Sequence, residues 1–182
     1  MNRSILGVLA LAASAAVVQA HAGATLPPAG TDPTITRTGR HDNRFYAGIN
    51  WNFGVRDGAT VVVGYRGAKV SSGGHVDGFK AEIGYVLSGA PSGLAEARLK
   101  YLNGSRSAQG EAGVGFSFAS QAPLVNLGVQ GPYANGNYDY LFGKGSLGSI
   151  GVNTLGRARK PTETATCPAG SSLVSGLCEI AD

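Results

Sequence analysis

The charged residues with the clearest capacity for chemistry fall on the polar face of three consecutive stretches of alternating sequence. They are Lys80, Glu82, Glu96, Arg98, Lys100 and Glu111. If these stretches pair as hairpins, Glu82 lies opposite Arg98 or Lys100, and Glu111 lies opposite Lys100 or Arg98. Opposite charges across a sheet stabilise pairing modestly, and buried charges require partners. The spacing predicts a mixed-sign network inside a barrel, with a solvated charged face on a soluble sheet as the alternative.

Residues that commonly carry catalysis show no comparable arrangement. The three histidines, His21, His41 and His75, are scattered over the first half of the chain. No Gly-x-Ser-x-Gly motif precedes a helical pattern, and Gly113-x-Gly115 lies in a strand pattern, whereas a dinucleotide-binding loop opens a helix. We therefore expect no enzyme activity, no cofactor and no metal site.

The ends of the chain indicate export. Arg3 followed by the apolar stretch Ile5–Val18, with small residues at Val18 and Ala20, predicts a signal peptide over residues 1–20. Cys167 and Cys178 are then expected to pair as a disulfide in an oxidising compartment, since a lone pair without a nearby His is a poor zinc site. Residues 21–43 read as an extended lead-in and residues 156–182 as a tail that carries the disulfide loop.

Composition excludes several classes of protein. The chain of 182 residues contains 29 Gly, and its 15 basic and 11 acidic residues give a charged fraction of 14%. Glycine without a three-residue period excludes collagen, and the aromatic and apolar content argues against disorder. Basic residues concentrate in residues 37–44 and 157–160, where they could meet anionic lipid headgroups. Nucleic-acid binding is not expected of an exported chain with so small a net charge.

Eight stretches between residues 44 and 155 have an apolar–polar period of two. They cover residues 45–55, 59–66, 79–87, 95–101, 111–118, 125–130, 137–143 and 147–155. Such alternation predicts β-strands with one apolar and one polar face, joined at turn signals such as Asp57-Gly58, Asn103-Gly104 and Asn135-Gly136. Eight strands are the smallest number that closes a barrel filled by side chains.

The composition of the two faces predicts which one points outward. The polar face is rich in Gly and Asn, which suits a narrow interior better than a solvated strand surface. The apolar face is rich in aromatic residues, as in the girdles at the two surfaces of a membrane. The expected membrane-facing aromatics are Phe45, Trp51, Phe53, Tyr65, Phe79, Tyr85, Tyr101, Phe116, Phe118, Tyr138, Tyr140 and Phe142.

The signal peptide and the alternating, aromatic-rich strands resemble the small eight-stranded outer-membrane β-barrels of Gram-negative bacteria. The resemblance is architectural and covers residues 44–155. It implies an all-β, antiparallel, up-and-down transmembrane barrel in the outer membrane, with the lipid bilayer as its main partner. The implied role is non-enzymatic: structural, adhesive or weakly pore-forming, with any envelope or surface partner unidentified.

Three points remain open in the sequence. A soluble exported β-sandwich or barrel would bury Trp51 against Phe116, and a lipid-modifying enzyme would use His75 with Ser71 or Ser72. Connections near residues 67–77, 103–109 and 131–137 are expected to be long, which conflicts with termini in the periplasm. Either a strand at residues 34–38 comes first and the strand ending at Phe142 comes last, or the termini face outward.

Overall fold

The computed structural model describes residues 31–89 and 93–180, and these residues form twelve β-strands. The strands are β1 (Thr34–Thr38), β2 (Arg40–Gly54), β3 (Gly58–Val70), β4 (His75–Val86), β5 (Gly93–Ser105), β6 (Gln109–Ser117), β7 (Ala122–Gln130), β8 (Ala134–Leu141), β9 (Gly145–Asn153), β10 (Thr162–Thr166), β11 (Ser171–Val174) and β12 (Leu177–Ile180). Within these two ranges there is no helix of the length and apolar character needed to span a membrane. The expected signal peptide lies outside the described residues.

Strands β2 to β9 form a closed antiparallel barrel in which each strand pairs with the next and β9 pairs with β2. The prediction of an all-β, eight-stranded, antiparallel barrel is therefore confirmed. The barrel begins at Arg40, four residues before the expected boundary, and its last strand ends at Asn153. The alternative order is wrong, because β1 pairs with β10 outside the barrel instead of becoming its first strand.

The strands are strongly tilted, as closure of a narrow barrel requires. Residues of each strand pair with residues on the next strand. Passing from partner to partner, from Tyr46 in β2 through β3 to β8, leads to Gly145 in β9. Since Leu147 pairs with Gly54, the same register brings Gly145 level with Arg56, ten residues beyond Tyr46. A shear of this size across eight strands corresponds to a tilt of about 40° from the barrel axis.

The connections are shorter than the sequence pattern indicated. The turns expected near residues 67–77, 103–109 and 131–137 occupy residues 71–74, 106–108 and 131–133. The strands continue pairing through glycines that resemble turn signals, so Gly104 lies in β5 and Gly136 lies in β8. We call the barrel end that carries these three turns, the start of β2 and the end of β9 the terminal end, and the opposite end the distal end.

The apolar face points outward and the polar face points into the lumen. Eleven of the twelve expected aromatics are exposed, and Tyr65 is half-buried between the rings of Phe45 and Phe79, with centroid distances of 5.1 and 6.0 Å. Trp51 and Phe116 are 58% and 40% exposed, so the mutual burial expected of a soluble core is wrong. Glu82 and Arg98, by contrast, are buried in the lumen.

The chain that follows the barrel enters its mouth. Leu155 is buried with Tyr46 and Val62, and Ala158 is buried in the apolar group that includes Val70 and Leu102. Backbone hydrogen bonds hold this segment: Ala158 N–H donates to the carbonyl of Arg106 at 2.9 Å. The tail expected to lie wholly outside the main fold therefore begins by closing the lumen at the terminal end.

Beyond this mouth, the terminal end carries a small β-structure that we call the appendage, residues 31–38 and 161–180. β1 pairs with β10, β11 pairs with β12 as a hairpin, and Thr31 forms a bridge with Cys178. Cys167 and Cys178 form the expected disulfide, with Cα atoms 5.5 Å apart. The appendage thus joins the segment before the barrel to the segment after it.

Candidate functional site

The lumen contains an alternating group of four charges that we call the lysine–glutamate square: Lys80, Glu82, Lys100 and Glu111. Lys80 Nζ lies 3.1 Å from Glu82 Oε1 and 2.7 Å from Glu111 Oε1. Lys100 Nζ lies 2.6 Å from Glu82 Oε2 and 2.8 Å from Glu111 Oε2. Each ammonium contacts both carboxylates, so the four charges neutralise one another in a site where an unpaired charge would be costly.

Neutral groups complete the square. The hydroxyl of Tyr46 donates to Glu82 Oε1 at 2.6 Å, and Lys80 Nζ lies 5.1 Å from the centroid of the Tyr46 ring. Lys80 also donates to Gln130 Oε1 at 3.1 Å, and Lys100 donates to Asn137 Oδ1 at 3.0 Å. These contacts use the spare donors of each ammonium, which buried polar groups require.

A second charged group lies between the square and the distal end. Arg98 donates from Nη2 and Nε to the two oxygens of Asp139 and lies 3.2 Å from Glu96 Oε1. Arg56 Nη2 donates to Glu96 Oε2 at 2.8 Å, and Asn126 Nδ2 donates to Asp139 Oδ1 at 2.6 Å. Two-point contact between a guanidinium and a carboxylate fixes both side chains, which makes Arg98 the centre of this group.

A third group lies at the terminal end. Arg66 Nη2 and Arg44 Nε each lie 2.6 Å from a carboxylate oxygen of Asp42. The backbone N–H of Arg159 also donates to Asp42, at 3.2 Å, so this carboxylate holds the chain that enters the mouth.

The buried charges of the lumen balance. Among the residues that the structure describes, the buried basic side chains are Arg56, Arg66, Lys80, Arg98 and Lys100, and the buried acidic ones are Asp42, Glu82, Glu96, Glu111 and Asp139. Five charges of each sign leave the lumen without excess charge. An interior of this kind is a packed polar core, and it offers no uniform field to attract an ion.

Inward-facing glycines provide the space for these side chains. A Cβ at Gly64 would lie 2.6 Å from the Tyr46 ring, and one at Gly113 would lie 2.8 Å from Cγ of Lys100. These distances are too short for any side chain larger than hydrogen. These inward glycines therefore leave room for large polar residues in a narrow barrel.

The six charges predicted as a network are all buried in the lumen and occur in the first two groups. Glu82 lies opposite Arg98, one of the two expected registers, whereas Glu111 lies opposite Leu102. The expected register for Glu111 is wrong because the β5–β6 turn lies further along the chain, at residues 106–108. Glu111 still reaches Lys100, but diagonally.

Sequence reasoning missed four charged members of the lumen. Arg66 and Asp139 stand on the polar face of their stretches, so their position in the alternation was a sufficient signal. Asp42 and Arg56 lie outside the alternating stretches, before the first one and in the β2–β3 turn. No local signal marked these two residues, because the six predicted charges already balance, with three of each sign.

The structure does not bring the side chains considered for catalysis, those of His75 and Ser71, together as a catalytic pair. His75 Nε2 lies 3.0 Å from Asn103 Nδ2, whereas Ser71 Oγ accepts the backbone N–H of His75 and closes the β3–β4 turn. The Ser71 hydroxyl thus contacts the backbone of His75 and not its imidazole. Within the described parts of the chain, no three His, Cys, Asp or Glu residues are grouped to hold a metal ion.

The outer wall carries an apolar band bounded by polar residues at the terminal end. Along β2 and at Val55, which directly follows it and still bonds to the carbonyl of Ser146, the outward residues from Phe45 onward are apolar, whereas His41 and Asn43 precede them. Ten residue steps at ~3.3 Å, tilted by ~40°, give a band about 25 Å tall, the height typical of membrane barrels. Aromatic side chains stand at both margins: Phe45, Tyr65, Phe79 and Tyr101 at one, Phe53, Tyr85, Phe118 and Phe142 at the other.

No family model, curated protein or solved structure matches this chain. The barrel architecture, with its apolar outer wall and its charged lumen, is therefore the basis for any functional conclusion.

Proposed function

We propose that this chain is a transmembrane β-barrel of a Gram-negative outer membrane, delivered by its signal peptide, and that it has a non-enzymatic, structural or adhesive role. The observation that carries the proposal is the polarity of the wall: aromatic and aliphatic residues face outward, and charges face the lumen. In water this outer surface would be one continuous apolar patch, whereas soluble proteins rarely expose patches above a few hundred Å².

The filled lumen argues for an anchoring role over a pore. The lysine–glutamate square occupies the middle of the barrel. Leu124, Leu141 and Leu147 pack together near the distal end, and Leu155 fills the terminal mouth. A solute would have to displace these packed leucines and also separate the paired charges of the square, which is costly. Weak pore formation is therefore the less favoured of the roles expected from the sequence.

In an anchoring role, the barrel would hold the appendage at the membrane surface. Ile35, Leu173, Val174 and Leu177 are 42–51% exposed on it, and the disulfide fixes its hairpin. In this proposal the barrel spans the bilayer and the appendage stands beyond the lipid headgroups as a surface for another envelope component.

Cell fractionation and gel mobility test the proposal. We expect the full-length chain, expressed in a Gram-negative host, to remain in the outer-membrane pellet after a carbonate wash. An unheated sample should migrate differently from a boiled one, because the closed barrel resists unfolding by detergent. A peripheral outer-membrane protein, which the same wash releases, is the control. Release of this chain by carbonate, without detergent, would contradict the proposal.

A further inference from the structure

The outer wall carries two adjoining depressions on β2–β5 that differ in polarity. The first, which we call the groove, has a volume of about 710 Å³, and its outward-facing lining includes Ala47, Ala81 and Ala97 between larger apolar side chains. The second, which we call the dent, has a volume of about 310 Å³ and lies nearer the terminal end. Tyr65 lines both, so the dent and the groove follow each other along the wall.

Three polar residues of the dent stand side by side on neighbouring strands. His41 pairs with Lys69, and Lys69 pairs with Asp77. Adjacent strands lie about 4.8 Å apart, so the Lys69 side chain leaves the wall between a histidine residue on one neighbouring strand and an aspartate residue on the other. Gly67 and Asn43 also line the dent, and all four polar side chains are exposed on the wall.

The carboxylate of Asp77 is held in place while Lys69 is free. Asp77 accepts hydrogen bonds from the hydroxyl of Tyr101 and, at 3.2 Å, from Asn103 Nδ2. Among the ion pairs formed by residues 31–89 and 93–180, Lys69 has none. The dent therefore offers one free cation beside one fixed anion at the polar margin of the apolar band.

We propose that the dent and groove bind one phospholipid with an ethanolamine headgroup. The phosphate lies against Lys69 and His41, the primary ammonium donates to Asp77, and an acyl chain runs along the groove. A choline headgroup has the same charges but no N–H to donate, and a glycerol headgroup has no cation for Asp77. This inference rests on the proposed function, because the groove meets acyl chains only if the band lies in a bilayer.

Native mass spectrometry of the folded full chain in detergent tests the site with three added lipids: phosphatidylethanolamine, phosphatidylcholine and phosphatidylglycerol. We expect one phosphatidylethanolamine to be retained several-fold more often than either of the others. Soluble phosphoethanolamine at the same concentration should not displace it, since the groove contributes through the acyl chain. Equal retention of the three lipids, or displacement by the soluble headgroup, would overturn the inference.

Substitutions separate the two parts of the site. Asp77→Asn, which keeps the shape, should remove the preference over phosphatidylcholine. Lys69→Gln should lower retention of all three lipids, and Ala81→Phe should do the same by filling the groove. The matched controls are Lys144→Gln, an exposed charge at the distal end, and Ala112→Phe, an outward alanine outside the groove. Control variants that change lipid retention or headgroup preference as much as the test variants do would contradict a defined site.

The difference in gel mobility between unheated and boiled samples shows whether each variant is folded before lipid is added. Insertion of the unmodified chain into phosphatidylcholine vesicles, measured by flotation, separates this inference from the proposed function. A chain that inserts but does not select among headgroups disproves the lipid site alone. A chain that does not float with vesicles disproves both.

Discussion

Replacement of Arg98 by Met is expected to lower the free energy of unfolding by about 3–5 kcal/mol, the usual cost of removing one partner of a buried ion pair. Arg98 is 3% exposed and contacts both Asp139 and Glu96, so the substitution leaves Asp139 without a cation and Glu96 with Arg56 alone. Urea unfolding in detergent micelles, followed by the gel mobility of the unheated protein, measures the change.

Two further variants give this prediction its control and its rescue. Arg157→Met removes an exposed charge after the barrel and should change the free energy of unfolding by about 0.5 kcal/mol or less. Adding Asp139→Leu to Arg98→Met removes the stranded carboxylate, so the double variant should lose less stability than the two single variants together. Strictly additive losses would show that Arg98 and Asp139 are not coupled in the lumen.

Replacement of Ile49 by Arg is expected to destabilise the barrel in phospholipid vesicles by about 2–4 kcal/mol, the cost of a basic side chain near the middle of a bilayer. Ile49 is 52% exposed and stands near the middle of the outward series from Phe45 to Val55. The same substitution on a solvated wall would cost little. Urea titration in vesicles, followed by gel mobility, measures the difference.

Asn43→Arg is the matched control for Ile49→Arg, because it lies on the same face of the same strand but outside the apolar band. Its expected cost is about 0–1 kcal/mol, as for a charge at the membrane surface. Equal effects of the two substitutions would contradict a bilayer around the band, whatever the absolute size of either effect.

The barrel itself could be predicted from the sequence because its wall obeys a simple alternation over eight stretches. Where the outer residues become polar, as at Asn43, Lys69 and Asp77, the alternation of apolar and polar residues disappears although the strands continue to pair. Because the outer residues are no longer apolar there, the sequence pattern assigned these strand ends to the connections, which made the connections look long. The polar extensions of β2 to β5 at the terminal end therefore became visible only in the structure.

The sequence predicts that charged residues share the inner face of the barrel, but it does not predict which charges pair. The positions of Lys80, Glu82 and Lys100 in the alternation place them on one face, yet the partner of each depends on register and on the closure of β9 against β2. A shift of two residues moves Glu111 from Lys100 to Leu102. The role of Asp42 depends on the chain after the barrel folding back to place Arg159 beside it, which no local pattern encodes.

Trp51, the single tryptophan of the chain, provides the most direct test of the central claim that the apolar outer wall lies in lipid. Its side chain is 58% exposed on that wall. After reconstitution into vesicles, we expect lipids with brominated acyl chains to quench its fluorescence and aqueous iodide to have little effect. Strong quenching by iodide, with none by brominated lipid, would contradict the account and show that this face of the barrel meets water.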